Sequence, residues 1–240
     1  MRQFRFGASL LWKGELGSLV KLAATYEAIE VENTASRFVN LTAQLPTRVF
    51  NNQNFIGSEL SYHFANTDNA AFPTLGMAIN LAVGYKTNID ESTRFGYFKP
   101  SISFDYKLSN DGRIVFATKL GGQMNFGDDF EFYQAARLGA RNGLRGYRFD
   151  RFLGKSSFYQ SSDIRINIKK MKTSLIPLTI GLYGGFDYGK VWTPNLPTGD
   201  WNTSIGGGLI SDAADMLSAS IGAFNSDDGM RIAFALGFGF

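Results

Sequence analysis

The sequence predicts an all-β fold, an antiparallel transmembrane β-barrel, and three observations carry that prediction. Apolar and polar residues alternate with period two through most of the 240 residues, which puts successive side chains on opposite faces of a strand. The alternating segments mostly run roughly 9–11 residues or more, the length a tilted strand needs to cross a bilayer core. Mean hydropathy is only −0.10 although aromatics make up 15% of the chain, so the apolar residues are distributed as one face of many strands. No stretch approaches the roughly 18 consecutive apolar residues of a spanning helix, which leaves closed barrels as the way to cross a membrane.

Taken in order, alternation marks strands near 3–12, 18–31, 37–45, 54–65, 75–87, 95–109, 113–125, 157–170, 174–192, 202–211, 216–225 and 230–240, about twelve in all. In 78–86 the apolar row is Ile79, Leu81, Val83 and Tyr85, and in 101–109 it is Ile102, Phe104, Tyr106 and Leu108. In 163–169, Ile164, Ile166 and Ile168 oppose Asp163, Arg165, Asn167 and Lys169. In 178–189, Leu178, Ile180, Leu182, Phe186 and Tyr188 face lipid, while Gly185, Asp187 and Gly189 face inward. The last segment sets Ile232, Phe234, Leu236, Phe238 and Phe240 against Arg231, Ala233, Ala235, Gly237 and Gly239. A soluble sandwich also alternates, but here the second row is charged, amide or glycine, as in a wet or plugged lumen.

Short turns near 109–113, 170–174 and 211–215 read as periplasmic, and the longer connections as external. One connection, about 126–156, is far longer than the others and carries Arg137, Arg141, Arg145, Arg148 and Arg151 among Leu, Phe and Tyr. A connection of that length in a compact protein is usually functional or disordered.

Other chemistries find little support. The chain has no cysteine, so disulfides and Cys-based zinc sites are absent, and its net charge of +3 is spread without a basic stripe for nucleic acid. The single histidine, His63, shares the inward row with Glu59 and Ser61, but residues two apart on one strand do not converge as a hydrolase triad. The runs GGQMNFG at 121–127 and IGGGL at 205–209 lack the following helix of a phosphate loop. Asp128, Asp129 and Glu131 read as an acidic loop start rather than a metal site. Neither a cofactor nor a metal is expected. The N-terminus, MRQFRFGASLLWKGELG, lacks the pattern of a secretory signal, so the reading favours export information removed or a start internal to a longer protein.

From residue 137 the chain, RLGARNGLRGYRFDRFLGKSSFYQSSDIRINI, resembles the sixth extracellular loop and following strand of the outer-membrane assembly factors of the BamA and TamA type, the bacterial surface antigen family. The carrying residues are Leu144, Arg145, Gly146 and Tyr147 for the loop tetrapeptide, then Asp163 and Arg165, then Gly185, Asp187 and Gly189, and a terminal aromatic, Phe240. The resemblance implies localisation to the bacterial outer membrane. It also implies a loop folded into the lumen with its tip pinned by an Arg145–Asp187 ion pair, and Asp163 as a second acceptor. Leu236, Phe238 and Phe240 are similar to the C-terminal insertion signal of such barrels.

The implied function is to insert or translocate unfolded outer-membrane or secreted polypeptides among the lipids, without covalent chemistry. The alternatives are a translocator or anchor for a fused periplasmic enzyme or passenger, then a passive pore or lipase. Family barrels have sixteen strands, five after the loop, whereas seven are read before it here. A C-terminal portion of such a barrel, residues 1–240 and no POTRA domain, is therefore expected over a complete twelve-stranded one. A periplasmic POTRA or fused enzyme domain is the expected upstream partner.

Overall fold

The computed structural model describes residues 1–32, 50–127, 129–172, 176–194, 199–214 and 216–238. Thirteen strands form: β1 (Arg2–Lys13), β2 (Ser18–Glu30), β3 (Gln53–Thr67), β4 (Gly76–Asn88), β5 (Arg94–Lys107), β6 (Ile114–Phe126), β7 (Ala136–Leu138), β8 (Phe152–Gly154), β9 (Ser156–Lys172), β10 (Pro177–Trp192), β11 (Asn202–Ala213), β12 (Leu217–Ser226) and β13 (Gly229–Phe238). Eleven make one antiparallel meander in the order β1-β2-β3-β4-β5-β6-β9-β10-β11-β12-β13, and β7 pairs with β8 as a separate ribbon between β6 and β9. Among the described residues, β1 pairs only with β2 and β13 only with β12, so both ends of the sheet present an edge.

Eleven of the predicted strands match the eleven of the large sheet. The twelfth, 37–45, lies outside the described residues; β2 and β3 pair directly, Leu19 opposite His63 and Ile29 opposite Gln53, so nothing stands between them in the sheet. Among the described residues, six strands precede the long connection, where the sequence suggests seven, and five strands of the large sheet follow it. At one end of the wall lie the strand ends Lys13 and Ser18, Thr67 and Gly76, Lys107 and Ile114, Lys172 and Pro177, and Ala213 and Leu217. At the other end lie Glu30 and Gln53, Asn88 and Arg94, Phe126 and Ser156, Trp192 and Asn202, and Ser226 and Gly229.

The apolar rows point outward with no protein against them. Phe4 is 64% exposed, Phe6 68%, Phe234 67% and Ile232 79%, and Leu60, Val83, Tyr106, Ile166, Leu182 and Leu209 continue the belt around the wall. A soluble protein does not leave so large an apolar surface open; a lipid bilayer covers it. The buried side chains lie on the opposite face in three clusters: Ile29, Val31 and Phe55 with Tyr133; Leu138, Leu144 and Tyr147; and Tyr183, Ile210 and Phe224.

One register break overrides strict alternation. Between Ile180 and Gly181 the β9–β10 pairing shifts: Gly181 faces Asn167 but Ile180 faces Lys169, leaving Ile168 as the extra residue of a bulge. Lys169 thus shares the outward face of Ile180 at the short-turn end, contrary to the inward position that uninterrupted alternation gives it.

Candidate functional site

The long connection folds back against the inner face of β9–β12. It begins with a 3-10 turn, Phe132–Gln134, whose Tyr133 packs edge-on against Phe55 at 6.3 Å between ring centroids. The β7–β8 ribbon then carries the chain inward and back out. Between these strands Gly139 and Gly143 adopt φ of +156° and +87°, values that favour glycine. Ala140 and Leu144 donate backbone hydrogen bonds to the carbonyls of Arg148 and Gly139. Leu138 and Leu144 are fully buried, and Tyr147, 2% exposed, meets Phe152 edge-on at 5.2 Å. The tip is therefore a small packed unit, held on its outer side by Arg137 to Asp150 at 3.0 Å and Arg151 to Asp228 at 2.8 Å.

At the tip the structure brings Arg145 against Asp187, a residue of β10 with no solvent exposure. The Arg145 Nη2 donates to Asp187 Oδ1 at 2.6 Å, Nε reaches both carboxylate oxygens at 3.1 and 3.2 Å, and the backbone N–H of Arg145 donates to Oδ2 at 2.9 Å. Arg145 Nη1 also lies 2.8 Å from Asp163 Oδ1, an ionic contact without hydrogen-bond direction. Burial works against the Arg145 charge, but Asp187 and Asp163 outweigh it and raise its pKa above the ordinary arginine value. The guanidinium carbon sits 4.2 Å from the ring centre of Phe224 and 5.9 Å from that of Tyr183, a further attraction for a cation.

Cross-strand register completes the acceptor. Asp187 stands directly opposite Ser161 on β9 and Ser204 on β11. Both hydroxyls donate to it, at 2.7 and 2.8 Å. Ser204 also accepts the N–H of Gly146 at 3.2 Å, and Ser226 donates to the Gly146 carbonyl at 2.7 Å. These serines do not stand out in the sequence, because only the register shows that they flank Asp187.

The glycines supply space. A Cβ on Gly185 would lie 2.5 Å from Arg145 Nη2 and 2.5 Å from Asp163 Oδ1; one on Gly146 would lie 2.6 Å from Ser204 Cβ; one on Gly189 would lie 3.0 Å from Leu138 Cδ2. Arg165 does not join the cluster. It pairs with Asp105 at 3.3 Å and donates to the Pro73 carbonyl at 3.2 Å, nearer the short-turn end. Leu236 lies on the outward row of β13, opposite Ala219, and Phe238 pairs with Leu217; Phe240 lies outside the described residues.

Among the described residues, no convergent hydrolytic centre surrounds His63, whose Nδ1 is 2.6 Å from Asn80 Oδ1, while Glu59 accepts the Tyr97 hydroxyl at 2.7 Å. Asp128 lies outside the described residues.

Solved structures share this architecture. The chain superposes on BamA from Haemophilus ducreyi lacking POTRA domains 1-3 with a TM-score of 0.68 at 18% identity, covering 98% of this chain and 53% of that one. With CdiB from Escherichia coli the TM-score is 0.68 at 13% identity, covering 99% and 45%. At such identities the likeness is one of fold, and the chain spans about half the length of either structure. No curated protein matches the sequence. The family model described as haemolysin secretion/activation protein ShlB/FhaC/HecB matches residues 27–211, which is most of the chain. The residues around Arg145 suggest the BamA and TamA type, and the BamA fold is indeed shared; the family match lies instead with the secretion proteins. With its lipid-facing belt, its inward arginine loop and a match running from β2 into β11, the chain is an outer-membrane β-barrel protein of the haemolysin secretion/activation (ShlB/FhaC/HecB) family.

Proposed function

We propose that this protein forms the wall of a translocator that passes unfolded polypeptides through the outer membrane, and that the arginine loop is its lumen-facing gate element. The reading rests on one observation above all: Arg145, borne by the loop, is fastened to a fully buried carboxylate of the wall by four hydrogen bonds. Removing one partner of such a shielded pair costs roughly 3–5 kcal/mol, so the wall holds the loop in one position until something displaces it. The short-turn end then faces the periplasm, where clients arrive, and no covalent step is needed.

The family's role in haemolysin secretion and activation favours release of the client beyond the membrane. Insertion of outer-membrane proteins, as the BamA- and TamA-type resemblance implies, is the second reading, favoured by the shared BamA fold. The test compares the native protein with Arg145→Ala and Asp187→Ala in the source cells, quantifying polypeptides in the medium, outer membrane and periplasm. Loss from the medium with build-up in the periplasm is expected for secretion. Loss of integral proteins from the outer membrane would assign insertion instead. Unchanged amounts in all three fractions, with the loop demonstrably released, would overturn both.

A further inference from the structure

The loop is not the only segment inside the wall. The β3–β4 turn, residues 68–75, also folds inward, from the opposite end. It is a preformed unit: Asp68 Oδ1 accepts the N–H groups of Thr74 and Leu75 at 2.8 and 3.0 Å, and Asn69 Oδ1 accepts those of Ala71 and Phe72 at 2.8 and 2.9 Å. Lys107 on β5 secures its base through Asp68 at 3.2 Å.

Its tip crosses to the far wall. Ser218 on β12 donates to the Ala71 carbonyl at 2.8 Å, joining residues 147 apart in the chain, and Arg165 on β9 donates to the Pro73 carbonyl at 3.2 Å. Phe72 lies beneath Arg165, 5.3 Å from ring centre to guanidinium carbon, and packs against the Tyr183, Ile210 and Phe224 cluster. Phe224 is the ring on which Arg145 rests, and its ring lies 6.2 Å from that of Tyr183, so the cluster of Tyr183, Ile210 and Phe224 meets both the loop's arginine and the turn's phenylalanine. Both segments line a common cavity of about 1420 Å³.

We propose that the 68–75 turn is a second stopper, closing the lumen at the short-turn end and coupled to the arginine loop through Tyr183 and Phe224, so that releasing either loosens the other. Side chains sharing one packed neighbour respond together because its rotamer is set by both. Phe72 packs against the cluster that contains the Phe224 ring on which Arg145 rests; withdrawing Phe72 loosens that cluster and weakens the seat of the loop.

The chain has no cysteine, which makes the placement directly testable by cross-linking. In isolated outer membranes, Ala71→Cys with Ser218→Cys should join through a short thiol-reactive linker, and Asp187→Ala in the same background should slow the joining. Absence of the cross-link would overturn the stopper; an unaltered rate with Asp187→Ala would overturn the coupling. Conversely, Phe72→Ala should speed external trypsin cleavage at the loop arginines about fivefold or more, the size of effect contacting residues commonly exert on one another. Phe104→Ala, on the lipid side, should leave that cleavage unchanged. Unaltered cleavage in Phe72→Ala would likewise overturn the coupling, and the cysteine pair, which retains Phe72, decides the matter if that variant fails to fold. Neither readout uses a client, so failure here leaves the translocation reading standing.

Discussion

The inner faces of the two halves of the wall are filled in different ways. On β1–β5 the wall's own side chains do most of the filling: Glu27, 2% exposed, bonds Lys86 at 2.6 Å and Arg5 at 3.1 Å, and Tyr97 reaches Glu59. On β9–β12 the inward row is largely Gly and Ser, including Gly185, Gly189, Ser204, Gly206, Gly208 and Gly222, and the volume is taken by the loop and by Phe72. A charge on the first half is neutralised by its neighbours in the same sheet. Asp187 on the second half is neutralised by a residue that must first travel inward on a loop. The difference teaches that the missing side chains of the second half are the binding surface for the loop.

The largest effect is expected from removing the fixed charge of either half. Asp187→Ala leaves Arg145 and two serines without their acceptor and should weaken loop docking by about 3–5 kcal/mol, read as rapid external trypsin cleavage between residues 137 and 151. Glu27→Ala should lower overall heat stability yet leave the loop protected, because its partners lie in the wall. Equal exposure of the loop in both variants would erase the distinction. A finer test adds one methyl group. Gly185→Ala puts a Cβ 2.5 Å from Arg145 Nη2 and should cost roughly 1–3 kcal/mol of docking, whereas Gly184→Ala meets nothing within 4 Å and should change neither docking nor melting temperature.

The smallest effect is expected at the outer brace of the loop. Arg151 holds the Asp228 carboxyl below its ordinary value of 3.8 by a hydrogen bond at the exposed rim. A carboxylate depressed in the folded state stabilises above its unfolded value, and the gain is lost as pH falls through the folded one. Asp228→Asn should therefore cost at most ~0.2–1 kcal/mol at neutral pH, a difference that shrinks as pH falls below the ordinary carboxyl value of 3.8, measured as hydrogen exchange of the loop amides corrected for its intrinsic pH dependence.

Sequence and structure agree closely along the strands and less so across them. The apolar row Ile164, Ile166, Ile168 follows from residue order alone, but the bulge at Ile168 turns Lys169 outward, and no local signal announces it. The inward position of Asp187 is likewise readable from alternation. Its partners Ser161 and Ser204 depend on how β9 and β11 slide against β10, a choice made by pairing and packing of whole strands. The inward reach of Phe72 is hidden for a similar reason. A turn of Asp, Asn, Ala, Phe, Pro and Thr reads as an ordinary connection until the curvature of the wall brings Ser218 and Arg165 within reach of it.

What the sequence determined by itself is therefore the wall: a period of two, strands long enough to span, and one face fit for lipid, because these are properties of consecutive residues in a single strand. What only the tertiary structure decided is the content of the lumen. Which carboxylate receives Arg145, which glycines make room, and which turn packs against the cluster that seats the loop are set by register and by the curvature of the wall. Contacts between residues 42 to 147 apart along the chain leave no local trace in residue order.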